Sequence, residues 1–160
     1  MTKIFISTSP FGEINPEPIE LLKKTGWEFI VNPMGRKLQS SEVAELALDA
    51  DGIIAGTEDL RPLIEKSKQL KIISRVGIGL DSVPLDECKR RGIVVTYTPD
   101  AVTLAVAELT IGVMVCLSRS VHISDRALRE NKWKRIMGKR LGESIIGIIG
   151  FGRIGSNVAR

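Results

Sequence analysis

Runs of apolar, β-branched residues alternate with amphipathic helical patterns along the chain from residue 3 to residue 96. Each run is short and is bounded by glycine, proline or polar residues, which is typical of a buried strand. Because neighbouring parallel strands require a crossover helix between them, this alternation predicts an α/β fold with a doubly wound parallel sheet. The predicted strands cover residues 3–7, 27–31, 52–55, 70–74 and 93–96.

Helix signals fill the intervals between these strands. Asn15 and Pro16 predict the start of a helix that Gly26 ends, and Gly92 ends another helix that begins at Pro84. Further helices are predicted over residues 40–48 and 62–67.

The pattern changes after residue 99. Residues 103–117 are helical in pattern and apolar on nearly every face, which predicts a helix buried between two layers or two domains. A more polar helix follows over residues 121–131. We therefore expect a domain boundary near residue 99 and a second domain that only begins within this chain.

The last apolar run, residues 145–149, leads into the sequence G-x-G-x-x-G at Gly150, Gly152 and Gly155. This order predicts a strand, a tight turn and a helix, the arrangement that holds a dinucleotide pyrophosphate at a helix N-terminus. Gly150 would allow the turn, Gly152 would leave room for the pyrophosphate, and Gly155 would let the helix pack on the strand. The acidic residue expected about twenty positions further on would lie beyond Arg160.

A second glycine-rich loop, SRVGIGLD, follows the predicted strand at residues 70–74. Ligands of parallel sheets bind at the carboxyl ends of strands, where backbone N–H groups converge. Gly77 and Gly79 would let the backbone approach a small anion, and Arg75 could add a forked contact to a carboxylate or phosphate. An ordinary strand–helix turn with a solvated Arg75 explains the same residues equally well.

Composition excludes several other classes of protein. The formal net charge is +4, but no basic run interleaved with aromatic residues accompanies it, which argues against nucleic-acid binding. Cys88 and Cys116 lack C-x-x-C spacing, and with His122 as the only histidine no metal site is expected. Residues 101–117 are slightly short for a membrane span and contain Glu108. We expect a cytoplasmic protein without a membrane partner, in which Cys116 is buried.

Two stretches resemble the D-isomer-specific 2-hydroxyacid dehydrogenases: SRVGIGLDSVPLDECKRRGIVVTYTPDAVTLAVAELTIGVMVCLSR and LGESIIGIIGFGRIG. The R-x-G-x-G-x-D loop, the TP…AEL segment and the GFGRIG turn come in the order and spacing of that family. The resemblance implies a flavodoxin-like substrate domain over residues 1–99 that lacks its C-terminal return segment. It also implies that residues 100–160 begin a Rossmann domain that binds NAD or NADP.

The resemblance also implies roles for individual residues. Backbone N–H groups of Ile78 and Gly79 would hold the carboxylate of a 2-keto or 2-hydroxy acid, while Gly77 allows its close approach and Arg75 assists. Glu108 would be structural, with its carboxylate satisfied by neighbouring donors. The residues implied to contact the cofactor are Ile78, Thr103, Gly150, Gly152, Arg153, Ile154 and Gly155.

The family's catalytic arginine, glutamate and histidine would all lie beyond residue 160, so no catalytic residue is expected in this chain and His122 matches no catalytic position. The resemblance implies that a longer parent enzyme transfers hydride between the nicotinamide and a small 2-keto or 2-hydroxy acid, as a homodimer formed through its cofactor domain. The 160-residue chain alone should be inactive. Val102, where some members have asparagine, favours the glyoxylate/hydroxypyruvate reductase branch over phosphoglycerate dehydrogenase.

Two alternatives belong to other functional classes. A non-catalytic module derived from the same fold could sense NAD or bind another protein. A single flavodoxin-like or response-regulator-like domain would require acidic residues at the carboxyl ends of the strands. Asp49 and Asp51 instead precede a predicted strand, which disfavours the second alternative.

Overall fold

Five parallel strands form one sheet: β1 Lys3–Ile6, β2 Glu28–Val31, β3 Gly52–Ala55, β4 Ile72–Arg75 and β5 Val94–Tyr97. Their order across the sheet is β2-β1-β3-β4-β5. The helices of this sheet are α1 Glu17–Lys24, α2 Ser40–Leu46, α3 Arg61–Lys66 and α4 Leu85–Arg90. The computed structural model describes all 160 residues, and it confirms the predicted parallel α/β sheet with bounds that shift by one or two residues at most strand ends.

The chain divides into two compact units, Met1–Pro99 and Asp100–Arg160. The first unit contains the whole sheet. The second contains α5 Thr103–Ser118, α6 Val121–Arg129, a short 3₁₀ turn at Leu141–Glu143, and α7 Arg153–Val158.

The two faces of the sheet are covered to different degrees. Phe5, Ile53, Ile73 and Val95 lie opposite one another in register and contact the main hydrophobic core, which α2, α3 and α4 complete. Residues one position away along each strand point to the other face, because side chains alternate along a strand. That face carries Ile72 and Val94, which are 38% and 56% exposed.

Asn15, Gly26 and Gly92 lie at helix ends, as the sequence predicts. The Asn15 side chain accepts a hydrogen bond from the Glu17 N–H at 3.0 Å, which satisfies one donor at the start of α1. Gly26 and Gly92 adopt φ of +70° and +68° after α1 and α4. Left-handed φ is disfavoured for residues with a Cβ, so these glycines stop the helices where the sequence predicts.

Helix α5 has the predicted extent but not the predicted burial. Leu104, Leu109 and Leu117 are 65%, 65% and 62% exposed, and Cys116 is partly exposed rather than buried. These predictions were wrong because only α6, α7 and the 3₁₀ turn pack against α5 within its unit. No single helix is long and apolar enough to span a membrane; α5 and α6 meet that test only as a pair, across a bend of 68°.

The predicted strand at residues 145–149 does not form, although α7 begins directly after the glycine turn as expected. Ile145 and Ile149 are fully exposed. A strand is defined by hydrogen bonds to a neighbour, and the second unit contains no strand beside which this segment could pair. Residues 145–149 therefore form no hydrogen bonds of a β-sheet.

Candidate functional site

The carboxyl ends of β1, β3 and β4 meet at one edge of the first unit, because these strands are parallel neighbours. The loops that leave the three strands, with Lys37 from the loop after β2, line a cavity of about 220 Å³. Its polar lining consists of Thr8, Ser9, Lys37, Thr57, Glu58 and Arg75. This edge is where ligands of parallel sheets bind, and it includes the start of the predicted anion loop.

Arg75 is buried, not solvated. It is 9% exposed, and its Nε atom has no hydrogen-bond partner. The guanidinium lies against Gly77, where a Cβ atom would clash with Nη1, and Gly77 itself has a φ of +135°. The solvated Arg75 of the ordinary-turn alternative is therefore wrong, because the guanidinium packs against the turn at Gly77.

Thr98, directly after β5, forms two hydrogen bonds with Gly77. The Gly77 N–H donates to the Thr98 hydroxyl at 2.9 Å, and the Thr98 N–H donates to the Gly77 carbonyl at 3.0 Å. The amides of Ile78 and Gly79 donate to no partner within the chain. The loop thus presents two consecutive unpaired N–H groups beside a buried cation, an arrangement suited to a carboxylate.

Glu58 is a site residue that the sequence analysis missed. It is 3% exposed, it lines the same cavity as Arg75, and its Oε2 atom has no hydrogen-bond partner. Gly56 provides the room, because a Cβ atom there would lie 2.9 Å from Oε2. The available signal was its position three residues after β3, at the same edge of the sheet as the loop.

The second glycine-rich segment forms the tight turn and the helix that its spacing predicts, but not the strand. Gly150 has a φ of +92°, and Gly152 caps α7 by accepting a hydrogen bond from the Ser156 N–H at 3.0 Å. A Cβ atom at Gly155 would clash with the Gly150 carbonyl oxygen. Gly155 therefore packs on the turn itself, and the open space around Gly152 leaves the turn accessible.

The other residues expected near a cofactor occupy different environments in the second unit. Arg153 forms an ion pair with Asp100 at 2.8 Å, with both side chains largely exposed. Ile154 lines an apolar cavity of about 370 Å³ together with Thr110 and Met114 of α5. Thr103 is 8% exposed, and its hydroxyl has no hydrogen-bond partner.

Three further titratable residues line neither of these cavities: His122, Glu108 and Cys88. His122 is exposed on α6, with its Nδ1 atom 4.0 Å from the Cys116 sulfur. Glu108 is exposed, and no neighbouring donor bonds to its carboxylate, contrary to expectation. Burial raises the pKa of the Cys88 thiol, which keeps it protonated and unreactive. No cluster of three metal-binding side chains forms.

Comparison with known proteins agrees with these features. The sequence model of the D-isomer specific 2-hydroxyacid dehydrogenase catalytic domain matches residues 4–156. The chain is 34% identical to D-3-phosphoglycerate dehydrogenase of Methanocaldococcus jannaschii, over 100% of this chain and 30% of the relative. It is 38% identical to hydroxypyruvate reductase of Thermotoga maritima, over 77% of this chain and 42% of the relative. The chain thus spans less than half the length of these relatives.

Solved structures are similar over 99% of this chain. The NAD⁺-bound 3-phosphoglycerate dehydrogenase of Entamoeba histolytica superposes with a TM-score of 0.80 at 32% identity, and this chain covers 49% of it. The NADPH-dependent glyoxylate/hydroxypyruvate reductase of Sinorhizobium meliloti, in complex with NADP and malonate, superposes with a TM-score of 0.72 at 28% identity and 49% coverage. Both neighbours are bound to a nicotinamide dinucleotide.

Proposed function

Because the chain belongs to the D-isomer-specific 2-hydroxyacid dehydrogenase family, we propose that its protein interconverts a small 2-hydroxy acid and the corresponding 2-keto acid with NAD or NADP. Residues 1–99 would form the substrate domain and residues 100–160 would open the cofactor domain. Its similarity to a phosphoglycerate dehydrogenase and to a hydroxypyruvate reductase supports this proposal. The observation that carries the proposal is the pair of unpaired amides at Ile78 and Gly79 beside buried Arg75.

In this proposal the substrate carboxylate accepts hydrogen bonds from the Ile78 and Gly79 N–H groups. Thr98 fixes Gly77 on both its amide and its carbonyl, so the next two amides are held in place before substrate arrives. Such preorganisation reduces the entropy lost on binding. Arg75 adds a positive charge in a site that solvent screens poorly.

The second glycine turn fits a dinucleotide. Gly150 has the positive φ of the tight turn, Gly155 makes the close backbone approach, and nothing lies within 4 Å of a Cβ built at Gly152. We propose that these glycines, with Arg153 and Ile154, contact the pyrophosphate, and that the unpaired Thr103 hydroxyl and the exposed Ile78 contact the cofactor too. When bound, the nicotinamide would supply or accept the hydride.

The 160-residue chain alone is proposed to be inactive. Its one histidine is exposed on α6 beside Cys116, where it lacks the carboxylate partner that orients a general acid–base imidazole. Purified chain should therefore give no NADH oxidation that depends on a 2-keto acid. The whole protein is proposed to be a homodimer formed through residues of the second unit, since the apolar side chains of α5 are exposed there.

Titration of the ¹⁵N-labelled chain with D-lactate tests the carboxylate site by NMR. The amide signals of Ile78 and Gly79 should shift together with one dissociation constant. Arg75→Gln should weaken binding by about tenfold, because a hydrogen bond to a charged group contributes about 1.5–3 kcal/mol.

Arg61→Gln is the matched control, because Arg61 is exposed and pairs only with neighbouring Asp59. It should leave the dissociation constant unchanged. Shifts confined to other residues, or a response to Arg61→Gln equal to that of Arg75→Gln, would contradict the assignment.

A further inference from the structure

Two side chains of opposite charge line the cavity at the strand edge without pairing with each other. Glu58 and Arg75 are 3% and 9% exposed, and both belong to the lining. No ion pair joins them within 4.0 Å, and each keeps one buried polar atom, Glu58 Oε2 and Arg75 Nε, without a partner. Buried polar atoms in folded proteins are nearly always hydrogen-bonded, so these two side chains mark a site for a polar ligand.

Each charged group lies beside a different glycine. A Cβ atom at Gly77 would clash with Arg75 Nη1, so the guanidinium packs against that turn. After β3, three oxygen atoms surround the open side of Gly56. Glu58 Oε2, Glu58 Oε1 and the Thr8 hydroxyl oxygen lie 2.9, 3.1 and 3.2 Å from the position that a Cβ of Gly56 would take. The cavity therefore has a cationic side at Gly77 and a side rich in acceptor oxygens at Gly56.

These two sides restrict the charge of the ligand. A guanidinium only donates hydrogen bonds and an ionised carboxylate only accepts them, so the ligand must present an acceptor to Arg75 and a donor to Glu58. A purely anionic ligand would leave Glu58 unpaired beside a like charge, and a purely cationic ligand would do the same to Arg75. Leaving a buried charge unpaired is costly, so the ligand that fits best carries both charges.

The cavity also restricts the size of the ligand. Its volume of about 220 Å³ has room for several water molecules, each of which takes about 30 Å³ in the liquid. An α-amino acid with a short side chain is of this size, and it carries its ammonium and carboxylate on one carbon atom. Lys37 and Thr57 are exposed parts of the lining, so the cavity is open to solvent on their side.

We propose that this cavity binds a small α-amino acid as its zwitterion. The Arg75 guanidinium holds the carboxylate, and the Glu58 carboxylate holds the ammonium together with the Thr8 hydroxyl. A primary ammonium has three N–H donors, which suits the three oxygen atoms beside Gly56. The site goes beyond the proposed function, because it needs neither a cofactor nor the amides of Ile78 and Gly79.

L-Alanine, propionate and ethylamine test the proposal, because propionate lacks only the ammonium of alanine and ethylamine lacks only its carboxylate. Each is titrated at neutral pH and constant ionic strength into the ¹⁵N-labelled chain. The amide signals of Gly56, Thr57 and Glu58 report binding in the cavity. L-Alanine should bind at least about tenfold more tightly than either analogue, because each analogue leaves one buried charge unpaired.

Glu58→Gln removes the negative charge and nearly preserves the size of the side chain. It should reduce the preference for L-alanine over propionate to less than about threefold, because the hydrogen bond to the ammonium loses its charged acceptor. Asp59→Asn is the matched control: it removes the same charge from the next residue, which pairs with Arg61 and does not line the cavity. It should leave this preference unchanged.

Equal binding of the three compounds, or equal responses to Glu58→Gln and Asp59→Asn, would overturn the proposal. Absence of shifts at residues 56–58 with L-alanine would also overturn it, as would L-alanine shifts confined to Ile78 and Gly79. If Glu58→Gln does not fold, the three compounds on the unmodified chain decide. Titration with D-lactate keeps the proposed function separate: shifts of Ile78 and Gly79 with D-lactate, without any response to L-alanine, would overturn the amino-acid site alone.

Discussion

At the scale of single residues, the site depends on what surrounds Gly77. Its positive φ, its contact with the Arg75 guanidinium and its two hydrogen bonds to Thr98 all meet at one position. The sequence shows the glycine but not the burial of the arginine, which depends on how three strand ends come together. For the same reason Glu58 escaped notice, since nothing in the sequence GTED distinguishes a buried carboxylate from an exposed one.

Gly77→Ala should lower the free energy of unfolding by about 2 kcal/mol or more, since it combines an unfavourable φ with a clash against a buried guanidinium. Gly35→Ala is the matched control: Gly35 has a φ of +61° and open space around it, so it should cost about 1 kcal/mol for φ alone. Urea denaturation measures both values. Equal losses would mean that Arg75 does not occupy the space at Gly77.

At the scale of elements, the sequence predicts those that carry their own signals. The β-branched runs and the glycines after α1 and α4 gave strands and helices close to their observed bounds. Residues 145–149 have an equally strong strand pattern but form none, because pairing requires a neighbouring strand. Burial of α5 was also mispredicted. An apolar helix sequence shows that the helix needs packing partners, but those partners must come from other elements.

The start of α2 gives a pH-dependent prediction. Hydrogen bonds from the Arg36 side chain and the Gln39 N–H lower the pKa of Glu42 to about 2. A carboxyl whose pKa is lower in the folded state stabilises above its unfolded value near 4.5, and this stabilisation is lost as pH falls towards 2. Glu42→Gln should therefore flatten the decline of Tm between these pH values.

Glu45→Gln serves as the control for that measurement, because Glu45 lies on the same helix and forms no ion pair. Its Tm should decline with pH as steeply as that of the unmodified chain. A Glu42→Gln variant with the same steep decline would show that the Arg36 pair does not persist in solution.

At the scale of the whole molecule, the exposed apolar side chains of α5 predict self-association. Sedimentation should show a species heavier than the 17.5 kDa monomer. Leu104→Lys combined with Leu109→Lys should yield the monomer, because two charges on this surface oppose its burial. The control is Leu21→Lys combined with Leu85→Lys, which changes two leucines of the first unit that are 55% and 47% exposed. This control should not yield the monomer. A monomeric unmodified chain would contradict this prediction.

The central claim is that the loop after β4 holds the carboxylate of a small 2-hydroxy acid. A crystal structure of the chain with bound D-glycerate tests it most directly. The account predicts the carboxylate within hydrogen-bond distance of both the Ile78 and Gly79 nitrogens. A carboxylate ordered elsewhere, with these two amides still unpaired, would contradict it.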